Sequence, residues 1–212
     1  MSIIVERFKN IKANINDKNI NIVAVSKTFT IDHIKPLLDY GHCHFGENKV
    51  QEANSKWGEI LKKNTNINLH MIGKLQTNKA KKAVEIFDYI HSLDNKKLGE
   101  ILSQQEKKLN KKLKYFIQVN VGNESQKSGI MSGDIDQFYN YCVNDLQLNV
   151  IGLMAIPPND NQSKKYFKFL YQANLSLGLK DLSIGMSSDY KIALEFNPTY
   201  LRLGSSIFGD RS

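Results

Sequence analysis

The sequence predicts an α/β fold, a single (β/α)8 TIM barrel, and three observations lead there. Short β-branched or apolar runs alternate with longer helix-patterned segments along the chain, as strand–helix units in a parallel sheet do. Eight such runs fall within 212 residues, near the lower size limit of a closed barrel. Only residues 204–212 follow the last run, too few for a full closing helix, whereas residues 2–14 carry Ile3, Ile4, Phe8 and Ile11 at helical spacing. An N-terminal helix is therefore expected to pack in place of a full last helix. A doubly wound open sheet is the alternative arrangement of the same units.

Strands are expected at 21–26, 42–45, 69–72, 89–92, 115–121, 150–154, 181–184 and 200–203. The first contains Ile22-Val23-Ala24-Val25, apolar without alternation, as a strand buried on both faces requires. Between the strands, helices are expected at 30–40, 48–63, 76–87, 95–110, 133–146, 161–178 and 187–196. The cluster Lys107-Lys108-Leu109-Asn110-Lys111-Lys112 reads as a helix C-terminus entering a turn, where the helix dipole favours cations. No Pro/Gly-rich linker or low-complexity tract divides the chain, so residues 1–212 are expected to form one domain.

Composition narrows the function classes. No apolar stretch approaches the roughly 20 residues of a membrane span, and the first residues lack the apolar core of a signal peptide. Two cysteines, Cys43 and Cys142, do not make a disulfide framework. A cytoplasmic protein without a membrane partner is expected. The net charge of +8 raises nucleic acid as a partner, but the lysines are dispersed over helical segments and no nucleic-acid module is visible, so none is expected.

The chemistry gathers around Lys27, which closes the first strand. Active groups of such barrels lie at the C-terminal ends of strands, and partial desolvation there favours a neutral, nucleophilic amine. Judged alone, one lysine among 29 Lys and Arg residues is more simply a snorkelling surface group. Two loops change that weighting. Ser183-Ile184-Gly185-Met186-Ser187-Ser188-Asp189 and Arg202-Leu203-Gly204-Ser205-Ser206-Ile207-Phe208-Gly209 follow the last two strands, where barrels commonly cradle a phosphate. Barrel closure sets the eighth strand beside the first, so Lys27 comes to lie next to both loops. An amine beside a phosphate cradle suits an aldehyde with a phosphate tail, pyridoxal 5′-phosphate. Arg202 is then placed to face the ring nitrogen and keep it unprotonated.

These residues and others place the chain in a known pattern. Ala24-Val25-Ser26-Lys27, Phe45-Gly46-Glu47-Asn48-Lys49-Val50-Gln51-Glu52, His70-Met71-Ile72-Gly73-Lys74-Leu75-Gln76-Thr77-Asn78-Lys79 and the two glycine–serine loops run nearly the length of the chain. Together they resemble the YggS/PROSC family, the pyridoxal phosphate homeostasis proteins, whose fold is the alanine racemase N-terminal barrel. The resemblance implies that Lys27 holds pyridoxal 5′-phosphate as a Schiff base, that Asn48 lies near the ring hydroxyl and that Ile72 lines the pocket. It implies phosphate contacts from Ser187, Gly204 and Ser205, and Arg202 facing the ring nitrogen. The chain departs from the pattern at Lys191, where the family usually has an acid, and at Asn197-Pro198, which replaces a small pair. Ser205 replaces the commoner threonine but keeps its hydroxyl.

Two further groups have simpler readings. His42-Cys43-His44 suggests a metal, but strand alternation would put both histidines on one face and Cys43 on the other, so no metal is expected. Lys127, in the loop after the fifth strand, is a second amine able to take up the cofactor, although a solvated loop lysine is the plainer reading. Racemases and decarboxylases sharing this barrel carry, by resemblance, an additional β domain and complete their site across a dimer. The short segment after the last strand and the lack of an evident acid–base group opposite Lys27 favour a monomeric carrier with no catalytic residue. Its role would be to buffer the cofactor or deliver it to apo-enzymes. The alternative is an amino-acid racemase.

Overall fold

Strand pairing closes the sheet on itself. The computed structural model describes residues 2–15, 17, 19–124 and 126–210. Met1, Asn16, Lys18, Ser125, Arg211 and Ser212 lie outside the described residues, so those parts of the N-terminal, fifth-loop and C-terminal readings are not described. The strands are β1 (Asn21–Val25), β2 (His44–Glu47), β3 (Asn68–Met71), β4 (Tyr89–Leu93), β5 (Lys114–Asn120), β6 (Ile130–Met131), β7 (Val150–Ala155), β8 (Asp181–Met186) and β9 (Tyr200–Leu203). Their order is β4-β3-β2-β1-β9-β8-β7-β5, with β5 returning to β4 to close an eight-stranded parallel barrel. The open-sheet alternative is thereby excluded. The two-residue β6 pairs with the end of β5, Val119 opposite Ile130, and adds a short ribbon outside the ring.

Helices surround the ring: α1 (Ile3–Asn14), α2 (Ile31–Asp39), α3 (Val50–Lys63), α4 (Ala80–Ile86), α5 (Lys96–Leu109), α6 (Ile135–Asn140), α7 (Ser163–Ser176), α8 (Tyr190–Ala193) and α9 (Ser205–Phe208). Ser2 caps α1, its hydroxyl accepting from the Ile4 amide at 3.3 Å. The buried face Ile4, Val5, Phe8 and Ile11 packs α1 against α2 and the single-turn α9. The N-terminal helix thus covers the side of the barrel that a full last helix would cover. Trp57 of α3 is wholly buried, 4.9 Å from the Phe45 ring, and truncating such a residue to alanine typically costs about 3–5 kcal/mol.

Several boundaries differ from the sequence reading. β2 begins at His44 rather than at 42, because the His42 amide still hydrogen-bonds Leu37 as α2 unwinds. His42 therefore packs outside the barrel against Phe8, while the His44 ring points inward among Tyr89, Tyr200 and His70. The expected common face for these two histidines does not exist. The helix at 133–146 is a 3-10 turn at 132–134, then α6, then a widened π turn over 141–145 that brings the Leu146 amide to the Tyr141 carbonyl before β7. The helix at 76–87 likewise opens with a 3-10 turn, and that at 187–196 shrinks to α8 plus a 3-10 turn.

The interior of the ring is the least expected feature. Barrel interiors are usually filled by branched apolar layers. Here Val23, Tyr89, Phe116, Met154 and Tyr200 form the apolar part, and His44, His70, His91, Ser183 and Arg202 are threaded among them.

Candidate functional site

The β1–β9 register pairs Val23 with Arg202 and Ala24 with Leu203, so the turns that leave these two strands emerge side by side. Lys27 follows β1 on a turn held at both ends. Before it, the Ser26 hydroxyl donates to Glu47 Oε1 at 2.7 Å, and Lys56 Nζ donates to the Ser26 carbonyl at 2.8 Å. After it, the Thr28 amide donates to Glu52 Oε1 at 2.5 Å. Glu47 Oε1 also accepts from Lys56 Nζ and from Trp57 Nε1, both at 2.9 Å, and Lys56 reaches Glu52 at 3.2 Å. Glu47 and Lys56 are almost fully enclosed, which makes this a buried ion pair whose charges are also hydrogen-bonded. Thr28 adopts φ +69°, a conformation costly for a β-branched residue. Partial burial raises the Glu52 pKa, but the Thr28 amide and Lys56 outweigh it and hold the carboxyl below its usual range.

The opposite wall is built from β8 and β9. Gly185, at φ +87°, turns the end of β8 in a conformation side chains resist. Beyond it, the Ser187 hydroxyl oxygen accepts from the Gly204 amide at 3.2 Å and the Ser206 amide at 3.3 Å, and it shares a 3.1 Å hydrogen bond with the Ser206 hydroxyl. Two amides and a hydroxyl of the loop after β9 therefore meet the Ser187 hydroxyl of the loop after β8, which gathers polar groups able to turn to an anionic oxygen. The Met186 amide is tied back to Asp189 Oδ1 at 2.6 Å, which fixes the loop.

Arg202 stands between the walls, 4% exposed. Its Nη1 donates to the Ser183 carbonyl at 2.7 Å and the Ser183 hydroxyl at 2.6 Å, and its Nη2 to the Ala155 carbonyl at 2.9 Å. Burial pushes the guanidinium pKa down to about 10, with Asp189 opposing, so the group stays cationic at neutral pH. Burial and neighbouring positive charge hold His70 and His91 well below their usual range, Arg202 being the principal charge acting on His91.

All seven residues singled out from the sequence line one cavity of about 450 Å³ at the C-terminal mouth: Lys27, Asn48, Ile72, Ser187, Arg202, Gly204 and Ser205. Val25, Ile156, Met186 and Ser188 complete the lining and were not singled out. Strand-end position alone points to Ile156, just after β7, and Met186, the last residue of β8. Asn48 directly follows β2, and Gly73 in the β3 loop packs against its backbone so closely that a side chain at Gly73 would run into the Asn48 carbonyl. Lys127 lies apart, ion-paired with Glu124 and lining a second hollow of about 340 Å³ that shares Asn48, Ile72 and Ile156. Lys191 is exposed, while Asn197 takes up the left-handed backbone that asparagine tolerates well. Among the described residues, no group of three or more His, Cys, Asp or Glu is arranged to hold a metal ion.

The molecule is thus a closed parallel (β/α)8 barrel with an amine, a buried guanidinium and loop donors gathered at its C-terminal mouth, a candidate small-molecule site. A family model described as "Alanine racemase, N-terminal domain" matches residues 2–212, and the chain belongs to that family, in the group of pyridoxal phosphate homeostasis proteins. It is 36% identical over 202 residues to the pyridoxal phosphate homeostasis protein of Pasteurella multocida, covering 91% of this chain and 87% of that one. The protein of the same name from Escherichia coli K12 is 34% identical over 203 residues, with 92% and 87% covered. The structure of PipY from Synechococcus elongatus with pyridoxal phosphate bound superposes with a TM-score of 0.86 at 34% identity, covering 97% of this chain and all of that one. An alanine racemase from Clostridium difficile shares the fold at 14% identity and a TM-score of 0.75, and the match covers 56% of its length.

Proposed function

We propose that this protein binds pyridoxal 5′-phosphate at the mouth of its barrel and serves in the homeostasis of that cofactor without turning over a substrate. The observation that carries the reading is the meeting of Lys27, Arg202 and the Ser187, Gly204 and Ser205 loops around one cavity. Lys27 supplies the amine for covalent attachment. The Gly204 and Ser206 amides and the serine hydroxyls receive the phosphate, and Arg202 faces the ring nitrogen. Asn48 addresses the ring hydroxyl, and Ile72 covers a face of the ring. The cofactor brings an aldehyde that an amine can capture and a ring that draws electrons from what it captures. Arg202, cationic at neutral pH, keeps the ring nitrogen unprotonated and so weakens that second property.

The non-catalytic part of the reading rests on the cavity wall. Among the described residues lining it there is no histidine, tyrosine, cysteine or carboxylate to move a proton on the side opposite Lys27. The form of homeostasis proposed is a monomer in the cytoplasm that hands its cofactor to apo-enzymes. The test is direct. Purified protein loaded with pyridoxal phosphate is assayed against a panel of L- and D-amino acids, and then mixed with an apo-enzyme. Transfer to the apo-enzyme without amino-acid turnover is expected. Turnover of about one per second or more, within the ordinary enzymatic range, overturns the carrier reading.

A further inference from the structure

Below Arg202, a line of hydrogen bonds descends through the barrel. Ser183 Oγ lies 2.9 Å from His91 Nδ1, His91 Nε2 lies 2.9 Å from His70 Nδ1, and His70 Nε2 lies 2.9 Å from His44 Nδ1. Ser183, His70 and His91 are completely buried, and His44 is partly exposed at the far end. The rings are held by stacking, His91 on Phe116 at 4.3 Å and His70 on Tyr89 at 4.1 Å.

Chemistry gives this line a direction. An arginine nitrogen only donates, so the Ser183 oxygen accepts from Arg202. The single Ser183 proton then has one remaining hydrogen-bond partner among the described residues, His91 Nδ1. Were His91 to point an Nδ1 proton at Ser183, the hydroxyl proton would be buried with no acceptor, which is strongly disfavoured. A neutral His91 must therefore carry its proton on Nε2 and donate it to His70, and His70 must donate likewise to His44. Burial and the nearby Arg202 charge keep His91 neutral, and burial does the same for His70.

We propose that Ser183, His91, His70 and His44 form a one-way hydrogen-bond file that acts as positioning machinery for Arg202. By committing the Ser183 proton downward, the file leaves Ser183 only an accepting face towards the guanidinium. This fixes the plane in which Arg202 meets the ring-nitrogen side of the cavity. The inference rests on the pyridoxal phosphate reading of the site only for what Arg202 is positioned against; the direction of the file is a property of the protein alone.

Two measurements test it. In the ligand-free protein with 15N-labelled histidine, two-bond proton–nitrogen correlations at neutral pH should show His91, His70 and His44 all protonated on Nε2. A proton on Nδ1 of His91 overturns the file. Binding is then compared for pyridoxal phosphate and an analogue in which a C–H replaces the ring nitrogen. Ser183→Ala and His91→Phe should each weaken pyridoxal phosphate roughly tenfold, as expected for a disturbed hydrogen bond to a charged group, and leave the analogue within about twofold. Equal losses for both ligands mean a merely structural role and overturn the proposal. If either variant fails to fold, His44→Phe at the partly exposed end should give a smaller shift with the same selectivity, and an unselective shift there has the same adverse meaning. Failure of the unmodified protein to bind pyridoxal phosphate would instead remove the reading of the site, while the ligand-free nitrogen spectrum still decides the file.

Discussion

The two walls of the cavity are built by different physics. The lysine wall is anchored by full charges taken out of water: Glu47 and Lys56 are buried together, Glu52 is half-buried, and a threonine is held at φ +69° beside Lys27. Among the described residues, the serine wall opposite contains no ion pair. Its donors are backbone amides and hydroxyls that meet at Ser187. In the proposed site, the group that forms a covalent bond is best held in one place, whereas a cradle for a phosphate that comes and goes needs donors already aimed at it. On that reading, stability is expected to reside on one side of the site and ligand exchange on the other. Substitutions on the two walls should separate these properties.

The largest effect is expected at the point where the lysine wall meets the ligand. Lys27→Ala should abolish the visible absorbance band that borohydride removes from the loaded protein, with little change in melting temperature. A persisting band would move the covalent attachment to another lysine, and Lys127, in the hollow that shares three lining residues with the main cavity, is then the next to replace.

Second comes the ion pair beneath it. Glu47→Ala leaves the Lys56 charge, the Trp57 N–H and the Ser26 hydroxyl without their shared acceptor, and breaking a buried pair from one side costs about 3–5 kcal/mol. A thermal melt should show a large destabilisation together with loss of cofactor binding. An unchanged melting temperature would mean that the wall is not held by this pair.

How much of this contrast was legible in the sequence differs between the walls. The serine wall was readable, because glycine and serine immediately after two apolar strands announce both a turn and free donors. Lys27 was readable from the uninterrupted run before it. Its support was not. Glu47, Glu52, Lys56 and Trp57 come from β2 and α3, and nothing in their spacing says that they converge under Ser26 and Thr28. The interior histidines were hidden for another reason. Period-two alternation relates faces only within a strand, and His42 still belongs to the exit from α2, so it says nothing of the faces of His42 and His44. The short β6 escaped because its two residues pair only once β5 presents Val119 and Asn120.

On the serine wall the expected effects are smaller and fall on ligand alone. Ser187→Ala removes the point at which the two loops meet, and Ser205→Ala removes a hydroxyl at the cavity. Each should weaken pyridoxal phosphate by roughly tenfold, about the worth of one hydrogen bond to a charged group, and leave pyridoxal, which has no phosphate, unchanged. Melting temperatures should move little. Equal weakening of both ligands would show that these serines shape the wall rather than bind the phosphate.

Acid should also distinguish the walls. The Glu52 carboxyl is held below its ordinary pKa of 4.5 by the Thr28 amide and Lys56. Its contribution to stability is therefore complete above that value and lost as pH falls through the folded-state pKa. Ligand-free protein should lose stability in this acid range, and Glu52→Gln, which retains an acceptor for Thr28 but cannot titrate, should lack this increment. Matching acid profiles for the two proteins would assign the loss to other groups.

The smallest expected effect concerns Thr28 itself. Threonine at φ +69° is strained, and glycine adopts that angle freely at the cost of more backbone entropy in the unfolded chain. The two terms are each about 1 kcal/mol and opposed, so Thr28→Gly alone should change the melting temperature little. In a Glu52→Ala background the balance shifts. The acceptor that holds the Thr28 amide is gone, the strained angle has lost a restraint, and only glycine keeps the turn in place without it. Thr28→Gly should then restore part of the cofactor affinity lost in Glu52→Ala, although it creates no contact with the ligand. Rescue of this kind would show that Glu52 works by holding the backbone beside Lys27, whereas its absence would leave the carboxylate acting through its charge.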